Sequence, residues 1–415
     1  MTDMKNYAVV TASYWGFTIT DGALRMLVLL HFHSLGYQPL DLAFLFLFYE
    51  VMGIVTNLLG GWIGLRFGLR VTLFLGISIQ IVALTMLAAL PADLTLTLSV
   101  IYVMASQALS GIAKDLTKMS SKSAVRLVVP HDSHTTLFKW VSILTGSKNA
   151  LKGLGFFVGG FLLQNFGFEG SLLSMAAGLA IVLILCTRYL SRDLGKAVKK
   201  VKFTEIFSNA AEINYLSVAR VFLFASRDVW FVVGVPVFLA SQQGWSFNQV
   251  GAFMAIWIIG YGITQAFVPN ILGNKSGVKS AASSAKLWGT ILAIIPVIIA
   301  LGLRHSGSQW LLSWGVQSAH WLIGGLIIFG IIFAINSALH SYLIVGYADK
   351  ETASLKIGFY YMANAFGRLI GTLLSGLVYQ YWGLQACLFV SGIMIGLAVL
   401  FTLPLGGNDR KLKNG

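Results

Sequence analysis

GLRFGLR, residues 64–70, closes one long apolar run, and GNKSGVK, residues 273–279, closes another. Both read Gly-x-basic-x-Gly-x-basic. A fixed offset of 216 residues then pairs Lys152 with Arg368, Gly155 with Gly371, Gly160 with Gly376, Gln164 with Gln380 and Gly167 with Gly383. One such match is coincidence, but two motifs at similar offsets mean an internal duplication. The repeated unit holds several apolar stretches, so the duplicated object is a bundle of helices and not a single hairpin.

Working outward, apolar runs of roughly twenty residues, enough to cross about 30 Å of hydrocarbon, lie near 7–30, 40–63, 71–90, 95–113, 138–163, 169–189, 214–240, 248–271, 284–303, 317–345, 354–379 and 384–404. Composition agrees. Only 11% of the 415 residues are charged, about half the fraction a water-soluble domain uses, so lipid must face most of the exterior. The 44 glycines against 7 prolines suit membrane helices whose backbones approach closely. The first run is too long for a signal-peptide core, carries Asp21 and Arg25 and lacks a cleavage site, so it is read as a helix that stays. With the N-terminus inside, 22 of the 29 Lys and Arg fall on inner loops or helix ends and one, Arg304, outside. The positive-inside rule therefore places both termini in the cytoplasm and accounts for most of the +14 net charge without nucleic acid.

Six helices, a basic linker and six more form two parallel pseudo-symmetric halves: an N-terminal half over 1–190, a cytoplasmic linker over 191–213 and a C-terminal half over 214–415. This plan, with GGWIGLRFGLR at 60–70, resembles the major facilitator superfamily. The predicted fold is accordingly an all-α membrane protein of twelve transmembrane helices. At Leu65 the sequence departs from the resemblance, because an Asp usually precedes the basic residue there, and the acidic partner for that loop's gating contact is missing at this position.

Six basic residues are left inside the runs: Arg25, Lys148, Lys152, Arg220, Arg227 and Arg368. Against them stand three carboxylates, Asp21, Glu50 and Asp228. A charge near the bilayer centre costs a few kcal/mol even on mild scales and so implies a lined cavity or an ion pair. Thr145, Lys148, Asn149 and Lys152 share one helix face, and Tyr360, Asn364 and Arg368 repeat the stripe on the eleventh run. Two readings stay open: these cations bind an anionic substrate, or each pairs with a carboxylate. Asp21 and Arg25, four apart, could neutralise one another locally. An arginine on each of the first and seventh helices, Arg25 and Arg227, resembles the organophosphate exchangers of the same superfamily, where a guanidinium forks onto phosphate.

The fourth run ends in Lys114, Lys118, Lys122 and Arg126, a basic stripe at four-residue spacing. It reads either as an inner-leaflet anchor for membrane lipid or, given Thr117, Ser120 and Ser121 between, as a vestibule that gathers anions. The seven histidines and two cysteines show no metal-ligand spacing. No phosphate-binding loop for ATP, nucleophile elbow or HExxH motif occurs. No cofactor or catalytic constellation is expected, and the chain reads as a carrier and not an enzyme.

Three segments carry a closer resemblance: YWGFTITDGALRMLVLLHFHSLGY (14–37), GIVTNLLGGWIGLRFGLR (53–70) and GIAKDLTKMSSKSAVRLVVP (111–130). They are similar to the organoarsenical efflux permeases of the ArsJ type. The resemblance implies export of 1-arseno-3-phosphoglycerate across the inner membrane, with a glyceraldehyde-3-phosphate dehydrogenase as functional partner that makes it, and hence arsenate resistance. On this reading Arg25, Lys148, Asn149, Lys152, Arg227, Asn364 and Arg368 contact substrate, Lys114, Lys118 and Lys122 line the vestibule, and Asp21, Glu50 or Asp228 carries a coupling proton. The rivals are an organophosphate or phosphate exchanger without an arsenic role, and a membrane receptor on a transporter-like scaffold.

Overall fold

The computed structural model describes residues 2–91, 93–124, 134–190, 210–272, 278–304, 318–347 and 353–406; within these, the backbone alone is described at 2–3, 60–69, 122–124, 134–146, 269–272, 345 and 353–357. Among the described residues all regular structure is helical: α1 Thr2–Ser34, α2 Pro39–Leu45, α3 Leu47–Ala88, α4 Leu96–Ala124, α5 His134–Tyr189, α6 Ala211–Phe231, α7 Gly234–Ser241, α8 Phe247–Leu272, α9 Val278–Arg304, α10 Ser318–Tyr347 and α11 Ala353–Thr402. Nine described stretches are long and apolar enough to cross a membrane. Two of these, Ser147–Tyr189 and Gly358–Thr402, have 43 and 45 residues, twice the length one crossing needs. Large apolar side chains such as Ile184, Ile256 and Ile393 are exposed, as expected where the solvent is lipid.

The duplication is visible in the backbone. Gly167 interrupts α5 at φ 67°, ψ −173°, and Gly383 interrupts α11 at φ 72°, ψ −173°. That conformation is open essentially to glycine alone, which is why the 216-residue register keeps glycine at both breaks. The fifth and sixth predicted runs thus meet at Gly167, and the eleventh and twelfth at Gly383. The seventh run, expected unbroken over 214–240, is split between α6 and α7. The backbone N–H groups of Val233 and Gly234, which the break would orphan, both donate to Ser375 Oγ, at 3.1 and 3.2 Å, and so remain satisfied in a buried place.

The chain forms two compact units. The first comprises residues 1–37, 44–203 and 245–262, and the second 38–43, 204–244 and 263–415. Within the first, α1 packs on α5 by backbone contact: Gly155 lies against Ile19 and Ala23, Gly159 against Ala23, and Gly22 against the Lys152 carbonyl. In the second, α11 packs on α6 in the same way, Gly367 against Val221 and Gly371 against Ala225 and Asp228. Such glycine notches drive association where no hydrophobic force acts between helices. They also fix the height at which charged residues of α5 and α11 meet those of α1 and α6.

Candidate functional site

The intramembrane charges form separate clusters in each unit. In the first, the notch at Gly22 and Gly155 sets Lys152 of α5 beside Asp21 of α1, with Nζ 3.7 Å from Oδ2. The Tyr49 hydroxyl donates to the other oxygen of Asp21 at 2.7 Å. Arg25 does not turn back to Asp21, four residues away. Its Nη1 donates instead to Glu50 Oε1 at 3.2 Å, with the guanidinium over the rings of Phe46 and Tyr49. The local i, i+4 pairing expected from sequence is therefore replaced by a tie between α1 and α3, because Tyr49 and Lys152 already occupy Asp21.

One carboxylate escaped the sequence count. Asp115 lies two residues past the predicted end of the fourth run, yet it is fully buried in α4. It accepts from Thr56 Oγ1 at 2.5 Å and from Lys118 Nζ at 3.3 Å, with Lys114 Nζ at 3.9 Å. Lys118 also donates to Asn57 Oδ1 at 2.7 Å, and Lys114 lies over the Tyr49 ring. Two of the vestibule candidates thus sit on an internal acid. The side chain of Lys122 lies outside the described residues.

Among the described residues, the second unit repeats the theme with fewer acids. Asp228 of α6 is buried. Its Oδ1 takes Arg227 at 2.6 Å, and its Oδ2 lies 3.6 Å from Arg368 Nε on α11. Arg227 further contacts the rings of Phe224, Phe231 and Phe333. Lys152 and Arg368, equivalent in the repeat, are therefore each held by an aspartate at matching places on α1 and α6. Two arginines thus share Asp228. Asn364 Oδ1 accepts from Arg220 Nε at 3.2 Å, a cation the sequence left without a role. Lys148 and Asn149 lie half-buried one turn before Lys152 on α5. No group of three or more His, Cys, Asp or Glu suited to a metal occurs among the described residues.

A bundle with paired charges in its membrane interior and a twofold internal register belongs to a recognisable class, and the comparison with family models decides which. The Major Facilitator Superfamily model matches residues 8–238 and 216–414. The chain belongs to the Major Facilitator Superfamily. Its superfamily fold is shared with a peptide-bound POT family transporter (TM-score 0.70, 19% identity, covering 97% of this chain and 98% of that one). The D-xylose-proton symporter gives TM-score 0.70 at 13% identity over 97% of both chains. Among curated proteins, a multi-drug resistance efflux pump PmrA homolog of Lactococcus lactis subsp. lactis (strain IL1403) is 25% identical over 171 residues, 39% of this chain and 40% of the relative. The voltage-gated purine nucleotide uniporter SLC17A9 of Homo sapiens is 27% identical over 169 residues, 40% of this chain and 34% of the relative. The chain thus aligns with well under half the length of either.

Proposed function

We propose that this superfamily member is a secondary transporter that exports an organic anion by alternating access, with 1-arseno-3-phosphoglycerate as the substrate. The observation that carries the anion is the sharing of one buried carboxylate, Asp228, by Arg227 and Arg368. Two guanidiniums converge on one acid, and their planar forks are the geometry that binds an oxyanion bidentately. The resemblance of segments 14–37, 53–70 and 111–130 to organoarsenical permeases supplies the arsenic. Relatives that include an efflux pump and a nucleotide uniporter agree with outward transport and with a phosphorylated cargo. In this scheme the protein sits in the inner membrane with cytoplasmic termini, and a glyceraldehyde-3-phosphate dehydrogenase supplies the substrate.

The site chemistry is an exchange of partners. Asp21 and Asp228 hold Lys152 and Arg368 in the substrate-free protein, and the incoming anion competes for those cations. A carboxylate released from its cation is the natural acceptor for a proton, which gives Asp21 and Asp228 a coupling role alongside Glu50. Lys152→Gln and Arg368→Gln, singly and together, are expected to lower uptake of the anion into inverted vesicles by at least tenfold at equal membrane insertion. Transport at the parent rate in both would remove these residues from the site. Deletion of the gene is expected to abolish arsenate resistance without a phosphoglycerate growth defect; the reverse phenotype would favour a plain organophosphate exchanger. That rival rests on the same arginines and on the nucleotide uniporter relative.

A further inference from the structure

The geometry points to Arg220 as the centre of a second oxyanion subsite, contained within the second unit and distinct from the Asp228 cluster. Arg220 is only 4% exposed, and it sits nine residues into α6, about 14 Å along the helix axis. No carboxylate lies within salt-bridge distance of it among the described residues. Its partners are neutral: Nε donates to Asn364 Oδ1 at 3.2 Å and Nη1 to the Ser337 carbonyl at 3.0 Å. The guanidinium lies 4.2 Å over the Phe224 ring and 5.0 Å from the Tyr360 centroid. Of five N–H donors two are used in these hydrogen bonds.

Around it lie further buried polar groups and, among the described residues, no carboxylate within salt-bridge distance. His340 lies on α10 three residues past Ser337, within electrostatic reach of Arg220, and is 1% exposed. Its Nδ1 has no hydrogen-bond partner among the described residues. Ser217 Oγ, one turn before Arg220 on α6, is likewise buried and without a partner. Arg227 has an aspartate next to it in sequence, and Arg25 has one four residues before. Arg220 has none within a helical turn on either side. A buried charge left without a counter-ion is heavily penalised, so a cation held in this way by neutral groups is completed by an anion that arrives from outside.

The repeat strengthens the assignment. The register that pairs Lys152 with Arg368 sets Lys148 opposite Asn364, and the one that pairs Asp21 with Asp228 sets Ser13 opposite Arg220. Each half therefore carries one further cation at this level, on α5 in the first and on α6 in the second. The aspartate–base pairs are common to both halves, whereas Arg220 is particular to the second, as a feature that reads a particular ligand would be. The subsite takes a tetrahedral oxyanion group, a phosphate or arsenate ester. It rests on the anion-carrier reading above and supplies that substrate's second charged end with a place of its own.

The test uses the full-length protein in nanodiscs, with 3-phosphoglycerate and inorganic arsenate as calorimetric probes. Asn364→Asp is nearly isosteric and gives Arg220 an internal carboxylate at the distance of the present hydrogen bond. It is expected to keep or raise the thermal midpoint and to weaken binding of 3-phosphoglycerate at least tenfold. Arg220→Gln is expected to weaken it as much, and Arg220→Lys by less. A purely structural tie between α6, α10 and α11 would predict unchanged affinity in Asn364→Asp, and that result would overturn the subsite while leaving the carrier reading intact. If Asn364→Asp does not fold, Arg220→Lys and Arg220→Gln with parent-like affinity overturn it equally. Wild-type protein that binds neither probe would overturn both the subsite and the anion carrier.

Discussion

Asp228, like Asp115, takes two basic side chains, and its replacement gives the sharpest residue-level test. In Asp228→Asn, Arg227 and Arg368 lose their shared counter-charge, and breaking a buried pair in this way costs about 3–5 kcal/mol. The thermal midpoint is expected to fall. Affinity for the anion is expected to rise, because two guanidiniums are freed for it, while turnover drops because nothing displaces the bound anion. Differential scanning fluorimetry and calorimetry with 3-phosphoglycerate would separate the two effects; lower affinity together with lower stability would contradict the partner-exchange scheme. Much of this cluster was legible in the sequence. Lys152 and Arg368 follow from the 216-residue register, and Asp21 and Asp228 from their rarity in apolar runs. Asp115 was not legible, because hydropathy places the end of the fourth run just before it, and the lysines at 114 and 118 disguise it as part of a basic tail. The Arg25–Glu50 tie was also hidden. Spacing along one helix favours Asp21 as the partner of Arg25, and only the packing of α1 on α3 shows that Tyr49 and Lys152 hold Asp21 first.

The helices reach these residue contacts through glycine, and the contrast among glycines is a test of that claim. A Cβ on Gly159 would collide with the backbone of Ala23, and one on Gly371 with Ala225 and Asp228 Cβ. Helix α1 would then have to move from α5, or α6 from α11, at a cost of about 1–3 kcal/mol for overpacking. Gly178, farther along α5, meets nothing within 4 Å. There alanine gains helix propensity of about 1 kcal/mol over glycine. Gly159→Ala and Gly371→Ala are therefore expected to lower the thermal midpoint and transport together, with Gly178→Ala neutral or stabilising; equal behaviour of all three would dissolve the notch account. The pairs Gly155/Gly371 and Gly167/Gly383 were visible in sequence as repeats, but their different tasks were not. One pair is a packing surface and the other a positive-φ break, and spacing is blind to backbone dihedrals. The break between α6 and α7 was equally silent, since 214–240 is apolar throughout and the residue that satisfies its orphaned N–H groups, Ser375, lies some 140 residues away.

At the scale of the whole molecule, the loop charges are expected to set orientation and the membrane charges to bind the anion, and the first of these can be tested without reference to substrate. Hydropathy and the repeat made the superfamily fold readable from the sequence, because a bilayer demands long apolar runs and a duplication copies them. Orientation rests on different physics, the bias of Lys and Arg toward the cytoplasmic side. The predicted outer side carries Arg304, at the exposed end of α9, and the predicted inner side carries the tail with Arg410, Lys411 and Lys413. Both native cysteines, Cys186 and Cys387, are buried, so a membrane-impermeant maleimide should find little background. Arg304→Cys is expected to label in intact spheroplasts, and Arg410→Cys only in inverted vesicles or after permeabilisation. The opposite pattern would invert the topology and place the basic loops outside. In that orientation the surplus of cations at the inner face, which an exporter of an organic anion needs in order to collect its cargo from the cytoplasm, would face the wrong compartment. Export would then have to be abandoned even if anion binding were measured.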